Sequence, residues 1–245
     1  MQLKINGINV NFEYVKKSDK TIVFLHGWGG GISSFKAGFD YFFNNSEYSL
    51  LNIDLPPFGE SDEPLKNFTI YDYYELVKTL IFKLKIKSIN IISHSFGGRI
   101  AILLASKKEV KVESLILIAS AGIKAKKSLK TRFEIISYKF KKKFSKNSKK
   151  LNKMGSRDYR LLSNNMKQVF VNVVNENLKK YLKNITCKTL IIWAKDDYET
   201  PKYMAKILNK KIKNSGLIMF NDGGHFCYLK YHTKFVKAAH YLFKS

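Results

Sequence analysis

Ser93-His94-Ser95-Phe96-Gly97-Gly98 is the stretch that decides the fold of this 245-residue chain. It follows an apolar, β-branched run from Ile89 to Ile92 and precedes an apolar helical stretch from Ile100 to Ala105. A strand that turns sharply into a helix through small-x-Ser-x-Gly is typical of a nucleophile elbow. Because the turn is tight, the residues two before and two after the central serine must be small, as Ser93 and Gly97 are. Ser93 stands where this motif usually has its first glycine.

The turn makes Ser95 a candidate nucleophile. It would lift the hydroxyl clear of the backbone and place it at a helix N-terminus, where free N–H groups and the helix dipole favour negative charge. A serine hydroxyl is a weak nucleophile, so it needs a base to accept its proton and an acid to orient that base. The alternative interpretation is an ordinary helix N-cap, which is a common use of serine.

Candidates for the acid and the base lie downstream, in the chain order Ser, Asp, His that accompanies this kind of elbow. The apolar segment from Thr189 to Trp193 predicts a buried strand, and the loop after it carries Asp196 and Asp197. The segment from Leu217 to Phe220 predicts another strand, and the turn after it ends on His225. Ligands bind beyond the C-terminal ends of parallel strands, so this edge of the sheet is the expected site.

A glycine-rich turn, His26-Gly27-Trp28-Gly29-Gly30-Gly31, follows the predicted strand from Thr21 to Leu25. Such a turn lets a backbone N–H point inward and contribute to an oxyanion hole. The second donor would be the N–H of Phe96, the residue after the candidate nucleophile.

The chain resembles the α/β-hydrolases over nearly its whole length. The motifs that carry the resemblance are His26-Gly27, the loop from Asp54 to Ser61, the elbow at Ser95, Trp193 with Asp197 and Pro201, and Gly224-His225-Phe226. The resemblance implies that Ser95 is the nucleophile, His225 the general base and then acid, and Asp197 the orienting carboxylate. It also implies that Trp28 and Phe96 supply the N–H groups of the oxyanion hole.

Other polar residues near these motifs have less specific interpretations. Asp197 lies four residues after Trp193 and four before Pro201, as in the family, so Asp196 is expected to cap the loop. Asp222 is expected to cap the turn before the candidate base. The remaining histidines are expected to brace the glycine-rich loop (His26), to hydrogen-bond nearby backbone (His94), or to be surface or packing residues (His232 and His240).

Strands and helices alternate along the chain, which predicts a mostly parallel sheet with helices on both faces. The resemblance implies an α/β-hydrolase fold with eight strands, and a hairpin at Asn6-Gly7 opens the series. Amphipathic helices are predicted over Leu129 to Phe144 and Tyr159 to Val174, in a segment with no predicted strand. The resemblance implies a small helical lid there, residues 122–183 between strands 6 and 7, inserted into a core of residues 1–121 and 184–245. We expect the substrate pocket to include Phe58, Met166, Phe170 and Phe226.

The formal net charge is +25, yet only four of the 44 basic residues are arginine. Abundant Lys, Asn, Ile, Phe and Tyr indicate an AT-rich genome, and arginine is the favoured phosphate ligand, so no nucleic-acid partner is expected. The segment from Lys124 to Lys153 holds thirteen basic residues and one acid, Glu134. One interpretation is that these lysines reflect codon composition on an exposed lid. The other is a docking site for an acidic partner, such as an acyl carrier protein or an anionic surface.

Several protein classes are not expected. No apolar run reaches the ~20 residues of a membrane-spanning helix, and the N-terminus lacks the apolar core of a signal peptide. Cys187 and Cys227 are the only cysteines, and we expect free thiols in a reducing cytoplasm. No cluster has metal-site spacing, so neither a metal nor another cofactor is expected.

The leading hypothesis is a serine hydrolase that cleaves carboxylic esters of small or medium acyl groups. The chain also resembles the meta-cleavage product hydrolases, which break a carbon–carbon bond in 2-hydroxy-6-oxo-dienoates. It departs from them at His94 and Phe226, where they usually have Asn and Trp. A third hypothesis is a non-catalytic binding protein on a hydrolase scaffold.

Overall fold

A single eight-stranded sheet forms the centre of the computed structural model, which describes residues 1–64, 68–124 and 162–244. The strand order is β1-β2-β4-β3-β5-β6-β7-β8. The strands are β1 (Gln2–Ile5), β2 (Ile8–Val15), β3 (Lys20–Leu25), β4 (Ser49–Ile53), β5 (Ser88–His94), β6 (Val112–Ile118), β7 (Lys188–Ala194) and β8 (Ser215–Phe220). The β1–β2 and β2–β4 pairs are antiparallel and the other pairs are parallel. The predicted α/β sheet is confirmed.

Helices cover both faces of the sheet. The described α-helices are α1 (Lys36–Asn45), α2 (Ile70–Lys83), α3 (Phe96–Lys107), α4 (Asn164–Asn175), α5 (Tyr203–Lys211), α6 (Cys227–Lys230) and α7 (His232–Lys244). One apolar cluster joins a face of the sheet to α2, α3, α4 and α5, and a second joins the other face to α1, α6 and α7. Within the described ranges, no helix is both long and apolar enough to cross a bilayer.

The predicted apolar strands agree with β3, β5, β7 and β8 to within two residues at either end. Every residue of β5 is buried, since helices pack on both faces of a parallel sheet. The predicted hairpin is confirmed: Asn6 and Gly7 have φ values of 50° and 86°, and the positive φ at both residues matches a two-residue hairpin turn. Helix α4 begins later than predicted because Ser163 caps it, accepting a hydrogen bond from the Met166 N–H at 3.2 Å.

Much of the predicted lid lies outside the described residues. That part includes the helix predicted over Leu129 to Phe144 and all of the basic segment after Lys124. The described remainder consists of α4 and two short 3₁₀ helices, Leu178–Lys180 and Leu182–Asn184. The division into core and lid therefore stays a prediction.

The turn between β5 and α3 leaves no space for a side chain at position 97. Ser95 has the unusual backbone angles φ 46° and ψ −109°, and its N–H donates to the Ile118 carbonyl at 3.0 Å. A Cβ atom added to Gly97 would lie 2.2 Å from the Leu25 carbonyl oxygen. Ser93 fits in place of glycine because its hydroxyl donates to the Ile116 carbonyl at 2.8 Å. The predicted sharp strand-to-helix turn is therefore present.

Two buried histidines brace the ends of β3 and β5 in their neutral forms. His26 Nε2 accepts a hydrogen bond from the Leu55 N–H at 2.9 Å, and its Nδ1 lies 2.7 Å from the Gly27 carbonyl oxygen. His94 Nε2 lies 2.9 Å from the carbonyl oxygen of His225. Burial lowers the pKa of His26 to about 4. Burial, followed by the nearby His225 ring, lowers the pKa of His94 to about 3.

We expect Gly97→Ala to lower the free energy of unfolding by roughly 2 to 3 kcal/mol, because the clash is with backbone and overpacking of this kind is costly. The matched control is Gly216→Ala in β8, where the nearest atom to an added Cβ is Leu190 Cδ1 at 4.0 Å. The control should change stability by no more than about 0.5 kcal/mol. Urea unfolding of both variants measures the difference, and equal stabilities would contradict the close-approach argument.

The buried histidines should make the fold acid-sensitive. Below pH ~6.5 the unfolded chain binds protons on His26 and His94 that the folded chain excludes until about pH 4 and about pH 3. Stability should therefore fall as the pH decreases from ~6.5 to ~4, by up to ~1.4 kcal/mol per pH unit for each histidine. Urea unfolding between pH 7 and pH 5 should give a shallower pH slope for His94→Asn than for the unmodified chain. Identical slopes would show that His94 is not held neutral by the fold.

Candidate active site

The predicted site residues meet beyond the C-terminal ends of the parallel strands. Ser95 follows β5, Asp197 follows β7 and His225 follows β8, while Trp28 lies in the loop after β3. Because these strands are neighbours or near neighbours in one parallel sheet, their following loops share one edge. The sheet topology therefore brings together residues that are up to 197 positions apart.

Asp197 and His225 form a buried pair. Asp197 Oδ2 lies 3.0 Å from His225 Nδ1, and the two residues are 3% and 9% exposed. A hydrogen bond from Nδ1–H to a carboxylate fixes the tautomer of the imidazole and leaves Nε2 free to act as a base.

The loop after β7 wraps around the Asp197 carboxylate. The backbone N–H groups of Glu199 and Thr200 both donate to Oδ1 at 2.9 Å, and the Thr200 hydroxyl donates to Oδ2 at 2.7 Å. Burial raises the pKa of the Asp197 carboxyl, but the hydrogen bonds from His225 and Thr200 outweigh burial and hold that pKa below its ordinary value. The carboxylate is therefore ionised at neutral pH and available as an acceptor.

The two competing aspartates have other partners. Asp196 Oδ1 accepts a hydrogen bond from the Gly224 N–H at 2.9 Å, so it ties the β7 loop to the turn that carries His225. The expectation for Asp222 is wrong. Its carboxylate accepts from Tyr231 and pairs with Lys230, both at 2.7 Å, because Asp196 already caps the turn from the neighbouring loop.

The other nitrogen of the imidazole faces a residue that the motifs did not indicate. His225 Nε2 lies 3.5 Å from Glu199 Oε2. Within the described part of the chain, the Ser95 hydroxyl makes no hydrogen bond to His225. In unliganded sites such bonds are commonly long and shorten when substrate binds.

The two candidate oxyanion donors belong to residues that line the apolar cavity together with Ser95. The N–H groups of Trp28 and Phe96 donate no hydrogen bond to any described residue, so both remain available to a ligand. Their side chains pack together, with ring centroids 5.2 Å apart. The glycine-rich loop is closed by a bond from the Gly30 N–H to the Gly27 carbonyl at 3.0 Å.

Two cavities meet at Ser95. The first, of about 250 Å³, is the apolar cavity and is lined mainly by Phe96, Ile123, Phe170, Val173 and Met204. The second, of about 600 Å³, is the aromatic cavity and is lined by Phe58, Leu162, Phe226 and Tyr228 with the glycine-rich loop. Trp28, Ser95, Glu199 and His225 line both cavities.

Three of the four predicted pocket residues line these cavities. Phe170 lines the apolar cavity, and Phe58 and Phe226 line the aromatic cavity. Met166 does not line either one: it is 2% exposed and packs in the core, because it lies on the face of α4 that is turned toward the sheet.

Sequence reasoning missed two charged residues in the cavity walls. Glu199 lies between two recognised motif positions, but its direction depends on the loop conformation. Arg99 lines the apolar cavity and donates to the carbonyls of Val174 and Glu176 at 3.2 and 2.8 Å, which ties α3 to the end of α4. Burial lowers the pKa of Arg99 to about 10, so it stays charged at neutral pH.

The histidines of α7 and the two cysteines lie outside the candidate active site. His232 and His240 lie in α7, where His240 packs 5.9 Å from the Phe42 ring. Cys187 and Cys227 are free thiols. The described ranges contain no group of three or more His, Cys, Asp or Glu side chains arranged to hold a metal ion.

Similarity to other proteins agrees with the fold. Residues 20–153 match the model of the alpha/beta hydrolase fold family. Two relatives from Bacillus subtilis (strain 168) are the uncharacterized hydrolase YugF, 25% identical and covering 90% of this chain and 89% of its own, and the AB hydrolase superfamily protein YisY, 26% identical and covering 84% and 85%. Putative esterase/lipase 2 of Mycoplasma pneumoniae is 31% identical, but over only 40% of this chain and 36% of its own.

Solved structures of this fold superpose over almost the whole chain. An esterase from Exiguobacterium antarcticum has a TM-score of 0.78 at 22% identity and covers 98% of this chain and 97% of its own. A meta-cleavage product hydrolase from Pseudomonas fluorescens IP01 has a TM-score of 0.73 at 17% identity and covers 100% and 97%. Identities this low establish shared architecture and nothing finer. With the matched family model and the strand order, they show that this chain belongs to the α/β-hydrolase fold family.

Proposed function

We propose that the protein is a serine hydrolase that cleaves carboxylic esters of small or medium acyl groups. The observation that carries the proposal is the buried Asp197–His225 pair at 3.0 Å, with Ser95 and His225 both lining the apolar cavity. This cavity holds about 250 Å³, a volume suited to a short acyl chain, and its lining is mainly apolar. The esterase names among the relatives are consistent with this class of substrate.

In the first half of the reaction, Ser95 Oγ forms a bond to the carbonyl carbon while His225 Nε2 accepts the hydroxyl proton. The electron pair of the carbonyl π-bond moves onto oxygen, and the N–H groups of Trp28 and Phe96 stabilise that negative charge. The tetrahedral intermediate then re-forms the carbonyl and expels the alcohol, which takes the proton from His225. An acyl-Ser95 ester remains.

The second half returns the enzyme to its starting state. A water molecule attacks the acyl carbon and gives a proton to His225 Nε2, and collapse of the second intermediate breaks the bond to Ser95 Oγ. His225 returns the proton to that oxygen, and the carboxylic acid leaves. The net reaction is ester plus water to acid plus alcohol. Asp197 stays ionised throughout, holds the ring orientation and stabilises the imidazolium.

The proposed nucleophile can be tested by covalent labelling. A fluorophosphonate probe should label the unmodified chain and Ser33→Ala, an exposed serine outside both cavities, but not Ser95→Ala. Ser95→Ala and His225→Ala should each lower kcat on p-nitrophenyl esters by roughly 10⁴-fold or more, because the residues act as a unit.

A panel of esters of graded length, with one 2-hydroxy-6-oxo-dienoate, measures the preferred substrate. Turnover of the dienoate alone would favour carbon–carbon hydrolysis, and no labelling of the folded chain would favour a binding scaffold.

The identity of the acid can be tested by a pair of matched substitutions. Asp197→Asn removes the charge that faces His225 Nδ1 and should lower kcat by roughly 10³- to 10⁴-fold, since the wrong tautomer is favoured. Asp196→Asn keeps an oxygen able to accept from the Gly224 N–H and should retain most of the activity. The opposite order of effects in the same esterase assay would assign the acid to Asp196.

A further inference from the structure

We propose that the aromatic cavity binds an alkylammonium group of the substrate, held between the Glu199 carboxylate and the aromatic side chains that line the cavity. The inference rests on the proposed function for the idea that the bound molecule is a substrate. The recognition chemistry depends only on the cavity itself.

Glu199 places a carboxylate at the junction of the two cavities. Its side chain is 67% exposed, and Oε2 lies 3.5 Å from His225 Nε2. The position of the residue is fixed by its own backbone, because the Glu199 N–H donates to Asp197 at 2.9 Å. The loop that carries the candidate acid therefore also presents this second carboxylate next to the candidate base.

The walls around this carboxylate are aromatic. Trp28, Phe58, Phe226 and Tyr228 line the cavity. The Trp28 and Phe58 rings pack edge to face, with centroids 5.0 Å apart, and Phe226 is 51% exposed. Aromatic faces attract organic cations through their quadrupoles, and a quaternary or primary ammonium group is the ligand that such walls favour.

The described lining of the aromatic cavity carries negative charge, which favours a cationic ligand. Among its described lining residues there is no lysine or arginine. His94 also lines it, but burial lowers the pKa of that histidine to about 3, so it contributes no positive charge at neutral pH. His225 lines the cavity as well, with Nε2 3.5 Å from Glu199 Oε2, and the base of the proposed reaction is its neutral imidazole. Within the described lining, Glu199 therefore faces no lysine or arginine. A carboxylate-bearing group in this cavity would be repelled.

The net charge of the whole chain, +25 over the complete sequence, repels a cation at long range. At 0.15 M salt this repulsion is screened beyond ~8 Å. Contacts inside the cavity therefore decide the preference under physiological conditions. The experiments below use 0.15 M salt throughout.

The turnover test compares substrates of equal shape and different charge. Butyrylthiocholine and S-(3,3-dimethylbutyl) thiobutyrate differ only in a quaternary nitrogen against a quaternary carbon on the leaving group. The p-nitrophenyl esters of 4-(trimethylammonio)butanoic and 5,5-dimethylhexanoic acids place the same difference on the acyl group. We expect the cationic member of at least one pair to have a kcat/KM roughly fivefold higher, the size of a good exposed charge contact.

Substitutions in the aromatic cavity test whether the preference for the cationic substrate arises there. Glu199→Gln should bring the cationic-to-neutral ratio close to one, and Phe226→Ala should lower it. The control Glu47→Gln removes an exposed carboxylate outside both cavities and should keep the ratio of the unmodified chain. A ratio near one for both pairs in the unmodified chain, or a ratio that Glu199→Gln leaves unchanged, would overturn the inference.

A binding test separates this inference from the proposed function. Ser95→Ala is titrated calorimetrically with choline and with 3,3-dimethylbutan-1-ol, its neutral isostere. Choline should bind roughly fivefold more tightly, and adding Glu199→Gln should remove the difference. Choline selectivity without hydrolysis of any ester would refute the proposed function and support the cation site. Ester hydrolysis without charge selectivity in either assay would refute the cation site alone.

Discussion

The close approach of α3 to the end of β3 is the constraint on which the site depends. The Leu25 carbonyl and the backbone at Gly97 are so near that no Cβ atom fits between them. Ser95 is consequently held at φ 46°, a conformation that costs a non-glycine residue about 1 to 3 kcal/mol and persists only where surrounding packing imposes it. This packing directs the serine hydroxyl toward the cavities, and it leaves the Phe96 N–H at the first turn of α3 without an intrahelical partner.

The loop after β7 orients the candidate base His225 with two adjacent aspartates. One carboxylate, Asp197, accepts from two backbone N–H groups, a threonine hydroxyl and the His225 ring. Its neighbour Asp196 holds the turn that carries His225. The imidazole is further fixed through its own backbone, since His94 contacts the His225 carbonyl. The orientation of the candidate base is therefore determined by two adjacent loops and by the strand that ends in the elbow.

The cavities divide the surroundings of Ser95 by chemistry. One side is mainly aliphatic and contains the buried cation Arg99, whose guanidinium is already engaged by two carbonyls at the end of α4. The other side is aromatic. Glu199 lines both cavities and is the single acidic side chain in the described lining of each. In a chain with 44 basic and 19 acidic residues, a carboxylate at this position makes the local charge differ in sign from the chain as a whole.

The sequence alone determined the strand series, the hairpin and the positions of Ser95, Asp197 and His225, because short-range rules govern all of them. Tight turns require small residues, parallel strands are continuously apolar, and the motifs keep a fixed order. Only the tertiary structure decided which side chains meet. Met166 and Phe170 belong to the same helical pattern, yet one enters the core and the other lines a cavity. Asp222 was expected to cap a turn that Asp196 caps from a different strand. Glu199 carries no local signal, since its place beside His225 arises from the parallel pairing of β7 with β8, a contact between segments that are distant in the chain.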